Sequence, residues 1–266
     1  MSTAQSRKRL ILELAREHGR VTVEDLAARL TVSPQTIRKD LNDLCDSDQL
    51  VRTHGGALLR TGKANVGYDA RRLIAAEAKD SIGVRTARLI PDNSSLFINI
   101  GTTTEAVARA LVDRTDLLVI TNNLNVATIL RPARGLEVVI VGGVVRHSDG
   151  GIVGEAALDM IAQFKVDTAI IGTSAIDADG TLLDYDYREV RVTQAILENA
   201  RRRILVADSS KVSRRAPVRI AHLSQLDAFV TDGLQDPELR RLCAEAGTEI
   251  HETAGGRAGG EQSDAA

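Results

Sequence analysis

The chain has 266 residues, 43% of them hydrophobic and 26% charged, at a net charge of −2, totals that suit a soluble protein of one large domain or two unequal ones. Aromatic residues make up 2% and tryptophan is absent, so Leu, Ile, Val and Ala must fill the core, and aromatic platforms for single-stranded nucleic acid are not expected. No stretch approaches the roughly 20 apolar residues of a spanning helix, and the opening MSTAQSRKRL has no apolar signal core, so no membrane association is expected and the cytoplasm is the expected compartment.

Charge is uneven along the chain. Residues 1–60 hold ten Lys and Arg against eight Asp and Glu, while the remainder holds 24 against 28, which puts a small positive excess at the N-terminus. Cys45 and Cys243 stand far apart, with no CxxC and no His at metal spacing. Reduced thiols are expected, with no disulfide, metal or cofactor.

In chain order, Leu10, Ile11, Leu14 and Ala15 recur at helical spacing before Gly19. Thr22 then caps a short helix that turns Leu26, Ala27 and Leu30 inward. Ser33 followed by Pro34 is the favoured start of a helix, and the next one runs to about Cys45. Its apolar stripe is Ile37, Leu41 and Leu44, leaving Gln35, Thr36, Arg38, Lys39 and Asn42 pointing elsewhere. The pairs Leu50-Val51 and Leu58-Leu59 flank Arg52, Thr53, His54, Gly55 and Gly56, a pattern that predicts a hairpin.

Three short helices and a hairpin fit a winged helix-turn-helix, whose last helix enters the major groove of duplex DNA. Arg and Lys can donate to guanine O6 and N7, and Gln or Asn can pair with adenine, so base readout falls first to Gln35 and Arg38. Ser33, Thr36, Lys39 and Asn42 complete the candidate face. Arg52 and His54 on the wing suit phosphate or the minor groove and add affinity more than sequence choice. A polar helix face on its own more often simply faces water.

Residues 61–70, containing TGKANVG, read as a linker after a domain spanning 1–60. A helical stretch from Arg71 to Ile90 opens the second domain, 71–253. Apolar runs follow at Leu96–Ile100, Leu117–Thr121, Val138–Val141, Ala169–Gly172, Ile204–Ala207 and Ala228–Thr231, alternating with helical segments. The expected fold is α/β, a mainly parallel open sheet with helices on both faces and ligands at the carboxyl ends of its strands. The Gly- and Ala-rich residues 254–266 read as a disordered tail.

The strand ends carry the second set of candidates. In SLFINIGTTTEAVARAL, Gly101 permits close backbone approach, and Thr102, Thr103 and the first helix amides can hold a phosphate. Asn122, Asn123, Gly142, Gly143 and Gly172 end further runs, and Lys211 is a point charge suited to a phosphate dianion. Asp184 and Glu189 can accept from polyol hydroxyls. Each alone is an ordinary loop residue; their common location at strand ends makes them a group.

The segment VSPQTIRKDLNDLCDSDQLVRTHGGA resembles the N-terminal signature of DeoR-family repressors, a TIR-(R/K)-DL helix followed by a hairpin with RxHGGA. Lys39 stands where the family more often has a second Arg. IGTTTEAVA, TNNLNVA, DGGIVGEAALDMI, GTLLDYDYREVRVTQAI and ADSSKVSR resemble the family's C-terminal domain, specifically its glycerol-3-phosphate repressor branch. Typical members have GTTPE or GSTT where this chain has GTTTE.

The resemblance implies a domain similar in fold to sugar-phosphate isomerases that senses a phosphorylated metabolite without turning it over. It places Gly101, Thr102, Thr103 and Lys211 on the phosphate, with Asp184 and Glu189 near the carbon chain. The implied protein is a metabolite-controlled repressor of glycerol 3-phosphate genes with double-stranded operator DNA and glycerol 3-phosphate as partners. Two half-sites require a homodimer or homotetramer. Competing expectations are a repressor sensing another sugar phosphate, an isomerase with Glu189 as base and Lys211 as anchor, and a domain that only oligomerises.

Overall fold

The computed structural model describes residues 4–18, 20–46, 50–53, 55–59 and 68–253. The chain divides into two compact units, Met1–Ile74 and Ala75–Ala266. The expected linker core at 61–67, the tail at 254–266, Gly19 and His54 lie outside the described residues.

The first unit comprises α1 (Ala4–His18), β1 (Arg20–Thr22), α2 (Val23–Leu30), α3 (Pro34–Asp46), β2 (Leu50–Thr53), β3 (Gly56–Leu59) and α4 (Tyr68–Leu73). Thr22 caps α2 by accepting from the Asp25 amide at 3.1 Å, and Thr31, at φ 53°, ends it. The Ser33 hydroxyl accepts from the Thr36 amide at 3.2 Å and starts α3 as the Ser-Pro pair predicts. Ile11, Leu26, Ile37, Leu41, Leu44 and Leu50 close into one core. The expected β2–β3 hairpin forms, pairing Leu50 with Leu59 through Thr53 with Gly56. It is widened by β1, a three-residue strand paired to β3 that periodicity does not reveal.

The second unit begins with α5 (Ala76–Ala87), β4 (Ser94–Ile98), α6 (Thr102–Ala110), β5 (Leu117–Thr121), α7 (Leu124–Leu130) and β6 (Leu136–Ile140). A small hairpin follows, β7 (Val144–Val145) with β8 (Ile152–Val153), then α8 (Glu155–Ile161) and β9 (Val166–Ile171). The rest is β10 (Ala175–Ile176), β11 (Thr181–Asp184), α9 (Tyr187–Glu198), β12 (Ala200–Val206), β13 (Val218–His222), β14 (Ala228–Thr231), α10 (Pro237–Ala246) and β15 (Glu249–Glu252).

The main sheet has the order β15-β14-β12-β9-β4-β5-β6, and every neighbouring pair is parallel. Alternation along the strands sends Leu96, Ile98 and Val119 to the side of α5, α6 and α7. It sends Phe97, Ile120, Ala169 and Ile171 to the side of α8 and α9. Buried on both faces, such strands read as the near-continuous apolar runs seen in the sequence. Chain order reverses between β4 and β9, the position at which open parallel sheets form a ligand crevice.

One expected element is corrected. The single helix over 71–90 is two, because Ala75 adopts a left-handed φ of 52° between α4 and α5. Without glycine or proline at that position, the break leaves no mark in the sequence.

Candidate functional site

On α3, Gln35, Arg38, Lys39 and Asn42 are exposed while Ile37, Leu41 and Leu44 are buried, which leaves a polar face of donors and amides open to a duplex. Thr36 is half-buried, and its hydroxyl lies 2.9 Å from that of Ser33. Both side chains are thus committed to starting the helix. Arg52 is exposed on β2, as a phosphate contact requires.

Asp40, on the same helix, is buried and accepts from Arg7 of α1 at 2.5 and 3.1 Å, a two-point fork. That hydrogen bond chiefly raises the Arg7 pKa, with the nearby carboxylate charge adding to it. On the outer rim, Lys8 reaches Asp43 at 2.6 Å and lowers its pKa. The sequence reading assigned neither acid a role. The signal was available in the i, i+3 spacing of Asp40 from Ile37, which puts it on the buried side.

The second unit places its candidates around the reversal. Gly101, at φ +147°, precedes α6, and the first i to i−4 bond of that helix runs from the Glu105 amide to Gly101. The amides of Thr102, Thr103 and Thr104 come before it, at the positive end of the helix. A β-carbon on residue 101 would come 3.3 Å from Thr104 Oγ1. That hydroxyl donates to the carbonyls of Asn99 and Gly101, both at 2.7 Å. Thr104, where the residue type departs from GTTPE, therefore pins the turn through its side chain.

Gly172 lies across the reversal, after β9. Next to it, Ser174 donates to Asp184 Oδ1 at 3.1 Å, and the Tyr185 amide donates to the same oxygen at 2.6 Å. Lys211 closes a short 3-10 turn, Ser209–Lys211, capped by Asp208. Two expected groups have structural roles of their own. Asn123 caps α7, accepting from the Asn125 and Val126 amides, and its amide nitrogen lies 3.4 Å from the buried Glu105. Gly142 and Gly143 sit after the edge strand β6, two strands from the reversal; Gly143, at φ +147°, lets the chain pass the Val153 carbonyl.

The residue that sequence reading missed is Arg146, on the turn of the β7–β8 hairpin. Its side chain is 11% exposed and meets three carboxylates: Asp149 of the hairpin, Glu189 at 2.6 Å and Asp186 at 3.2 Å, the last two at the start of α9. Burial by itself would lower the arginine pKa, but Glu189 and Asp149 reverse that and raise it. Asp186 is held below the usual carboxylate range, chiefly by its hydrogen bond from Arg188. One cation thus ties the hairpin to α9.

Beneath that network lie two amides. Asn99 follows β4 and donates Nδ2 to Thr193 Oγ1 at 2.8 Å, and Thr193 donates in turn to the Glu189 carbonyl. Asn122 follows β5 and donates to the Ile152 carbonyl at 3.1 Å. Both are buried, and the Oδ1 of each has no hydrogen-bond partner among the described residues; Asp208 Oδ2 is the third such oxygen in this unit. A buried acceptor left so costs about 1 to 3 kcal/mol, so each calls for a hydrogen-bond donor from outside the described residues.

Residues 7–62 match the family described as the DeoR-like helix-turn-helix domain, and residues 74–233 match the DeoR C-terminal sensor domain. The chain belongs to the DeoR family. The glycerol-3-phosphate regulon repressor of Escherichia coli (strain K12) is 46% identical over 222 residues, covering 84% of this chain and 88% of that protein. That of Haemophilus influenzae is 48% identical over 225 residues, 85% and 88% of the two. The E. coli repressor CsqR is 36% identical across 93% of this chain and 95% of its own length.

Solved structures offer looser likenesses to the DeoR-family chain. Ribose 5-phosphate isomerase A of Methanocaldococcus jannaschii covers 52% of it and 55% of itself, at a TM-score of 0.40 and 14% identity. For eIF2B beta of Chaetomium thermophilum the figures are 58% and 48%, 0.43 and 15%. The described DeoR-family residues include no helix long and apolar enough to cross a membrane and no group of three His, Cys, Asp or Glu that could hold a metal.

Proposed function

We propose that this DeoR-family chain is a cytoplasmic repressor of glycerol 3-phosphate genes that releases its operator when glycerol 3-phosphate binds the crevice at the β4–β9 reversal. The observation that carries the reading is the presence in one chain of an exposed donor face on α3 and an anion-suited turn at Gly101. The relatives named as glycerol-3-phosphate regulon repressors supply the choice of metabolite.

In this reading Gln35 and Arg38 read bases while Lys39, Asn42 and Arg52 hold the backbone. The phosphate sits on Gly101, Thr102, Thr103 and Lys211, with Asp184 and Glu189 toward the hydroxyl-bearing carbons. The effector releases DNA only if it binds the DNA-incompetent arrangement more tightly, a coupling typically of about 1 to 3 kcal/mol. Two reading heads on two half-sites call for a homodimer or homotetramer.

Calorimetry of the full chain against a panel of phosphorylated polyols and sugars tests the sensor half. Saturable binding of glycerol 3-phosphate ahead of the other compounds is expected. Preference for a different sugar phosphate would keep the repressor and replace its metabolite, and no heat with any compound would remove the sensing role.

A further inference from the structure

Asn99 and Asn122 occupy matching places on adjacent strands. Ile98 pairs with Thr121 at the ends of β4 and β5, so the two asparagines stand side by side one residue further on. Phe97 and Ile120, two residues earlier in each strand, pack toward α8 and α9. Strand alternation therefore turns both asparagines to that same side, under the hairpin that carries Arg146.

Their orientation is fixed by chemistry. Asn122 Nδ2 meets a carbonyl, which can only accept. Asn99 Nδ2 meets Thr193 Oγ1, whose proton goes to the Glu189 carbonyl. In both, the oxygen is the atom without a partner among the described residues, while each Nδ2 makes one bond, so the pair lacks hydrogens for two acceptors. A group that satisfies both oxygens must bring hydroxyl or amine hydrogens, which a bare phosphate dianion lacks.

Arg146, linked to Asn99 through Glu189 and Thr193, has four of its five N–H groups on the carboxylates Asp149, Asp186 and Glu189, and Arg188 also pairs with Asp186. We propose that Asn99, Asn122 and Arg146 form the hydroxyl subsite of the effector crevice. Ligand hydroxyls donate to the asparagine oxygens, one of them accepts from the remaining Arg146 N–H, and the phosphate remains at the α6 end. The subsite rests on the sensing role proposed above and extends it to the group that separates a polyol phosphate from a plain alkyl phosphate.

The test compares glycerol 3-phosphate with propyl phosphate, which has the same three carbons and phosphate but no free hydroxyl. Calorimetry is run on the full-length wild-type protein and on Asn99→Leu and Asn122→Leu, with folding checked by circular dichroism. The wild type is expected to prefer glycerol 3-phosphate at least tenfold, since an acceptor built for a hydroxyl penalises the analogue that lacks one. In each leucine variant the preference is expected to fall to about threefold or less, through weaker binding of glycerol 3-phosphate alone.

Should a leucine variant fail to fold, Arg146→Lys carries the same expectation, because it keeps the charge and loses the planar fork. Variants that retain the wild-type preference would overturn the subsite, as would a wild type that binds both ligands equally, and in either case the sensing role would stand. A wild type that binds neither ligand would bring down the sensing role and the subsite together.

Discussion

Arg38 and Arg52 are both exposed arginines of the DNA-reading unit, yet their losses should register differently. Arg38→Ala is expected to cut the preference for operator over random duplex about tenfold, the worth of a bidentate base contact. Arg52→Ala is expected to weaken both duplexes alike and to reduce the slope of log affinity against log salt by about 1. Binding titrations at several salt concentrations check both, and an unchanged operator preference in Arg38→Ala would remove it from base readout. At the sensor, Lys211→Ala is expected to weaken glycerol 3-phosphate at least tenfold by calorimetry, and full affinity would remove Lys211 from the crevice. Sequence alone singles out Gln35, Arg38 and Gly101 as candidates because each lies in a local pattern: a helical stripe or a strand-turn-helix junction. It missed Arg146 because its partners Asp186 and Glu189 lie about 40 residues away, and only the folded hairpin brings them together. Asn123 acts locally as well, its side chain capping α7.

The buried apolar strands β4, β5, β9, β12 and β14 are legible as apolar runs, while β11, β13, β15 and the shortest strands are not. The β7 and β8 strands are two residues each, and Val144 and Val145 are exposed, so no alternation marks them. Among the elements, α3 is held to α1 by the Arg7–Asp40 fork. Asp40→Ala leaves a largely buried guanidinium unpaired and is expected to cost about 2 kcal/mol, seen as roughly a 30-fold loss of hydrogen-exchange protection in α3. Unchanged protection would show the pair to be energetically idle. At the start of α9, Asp186 accepts from the Arg188 amide at 3.0 Å, and its pKa is lowered. A depressed folded pKa contributes stability above the ordinary carboxylate range and loses it as pH falls through the lowered value. Asp186→Ala should therefore cost roughly 1 kcal/mol at pH 7 and less at a pH below the ordinary carboxylate range, as read from urea midpoints. An equal cost at both pH values would contradict the ionised cap.

At the scale of the molecule, the alternation of strands and helices was enough to expect a parallel sheet, but not its order, because strand adjacency is set by crossovers that leave no local trace. That order matters: the reversal between β4 and β9 is what brings Gly101 and Gly172 to neighbouring strand ends. Sedimentation of the purified protein is expected to show a dimer or tetramer, and a strict monomer at micromolar concentration would contradict two linked reading heads. The account as a whole rests on linkage between sensor occupancy and operator affinity. The most direct measurement is a fluorescence-anisotropy titration of the protein's own upstream DNA, at fixed salt, with and without glycerol 3-phosphate. The account predicts tight binding without the metabolite and an affinity about 5- to 150-fold weaker with it. Identical affinities in the two titrations, or no preference for that DNA over a random duplex, would contradict it.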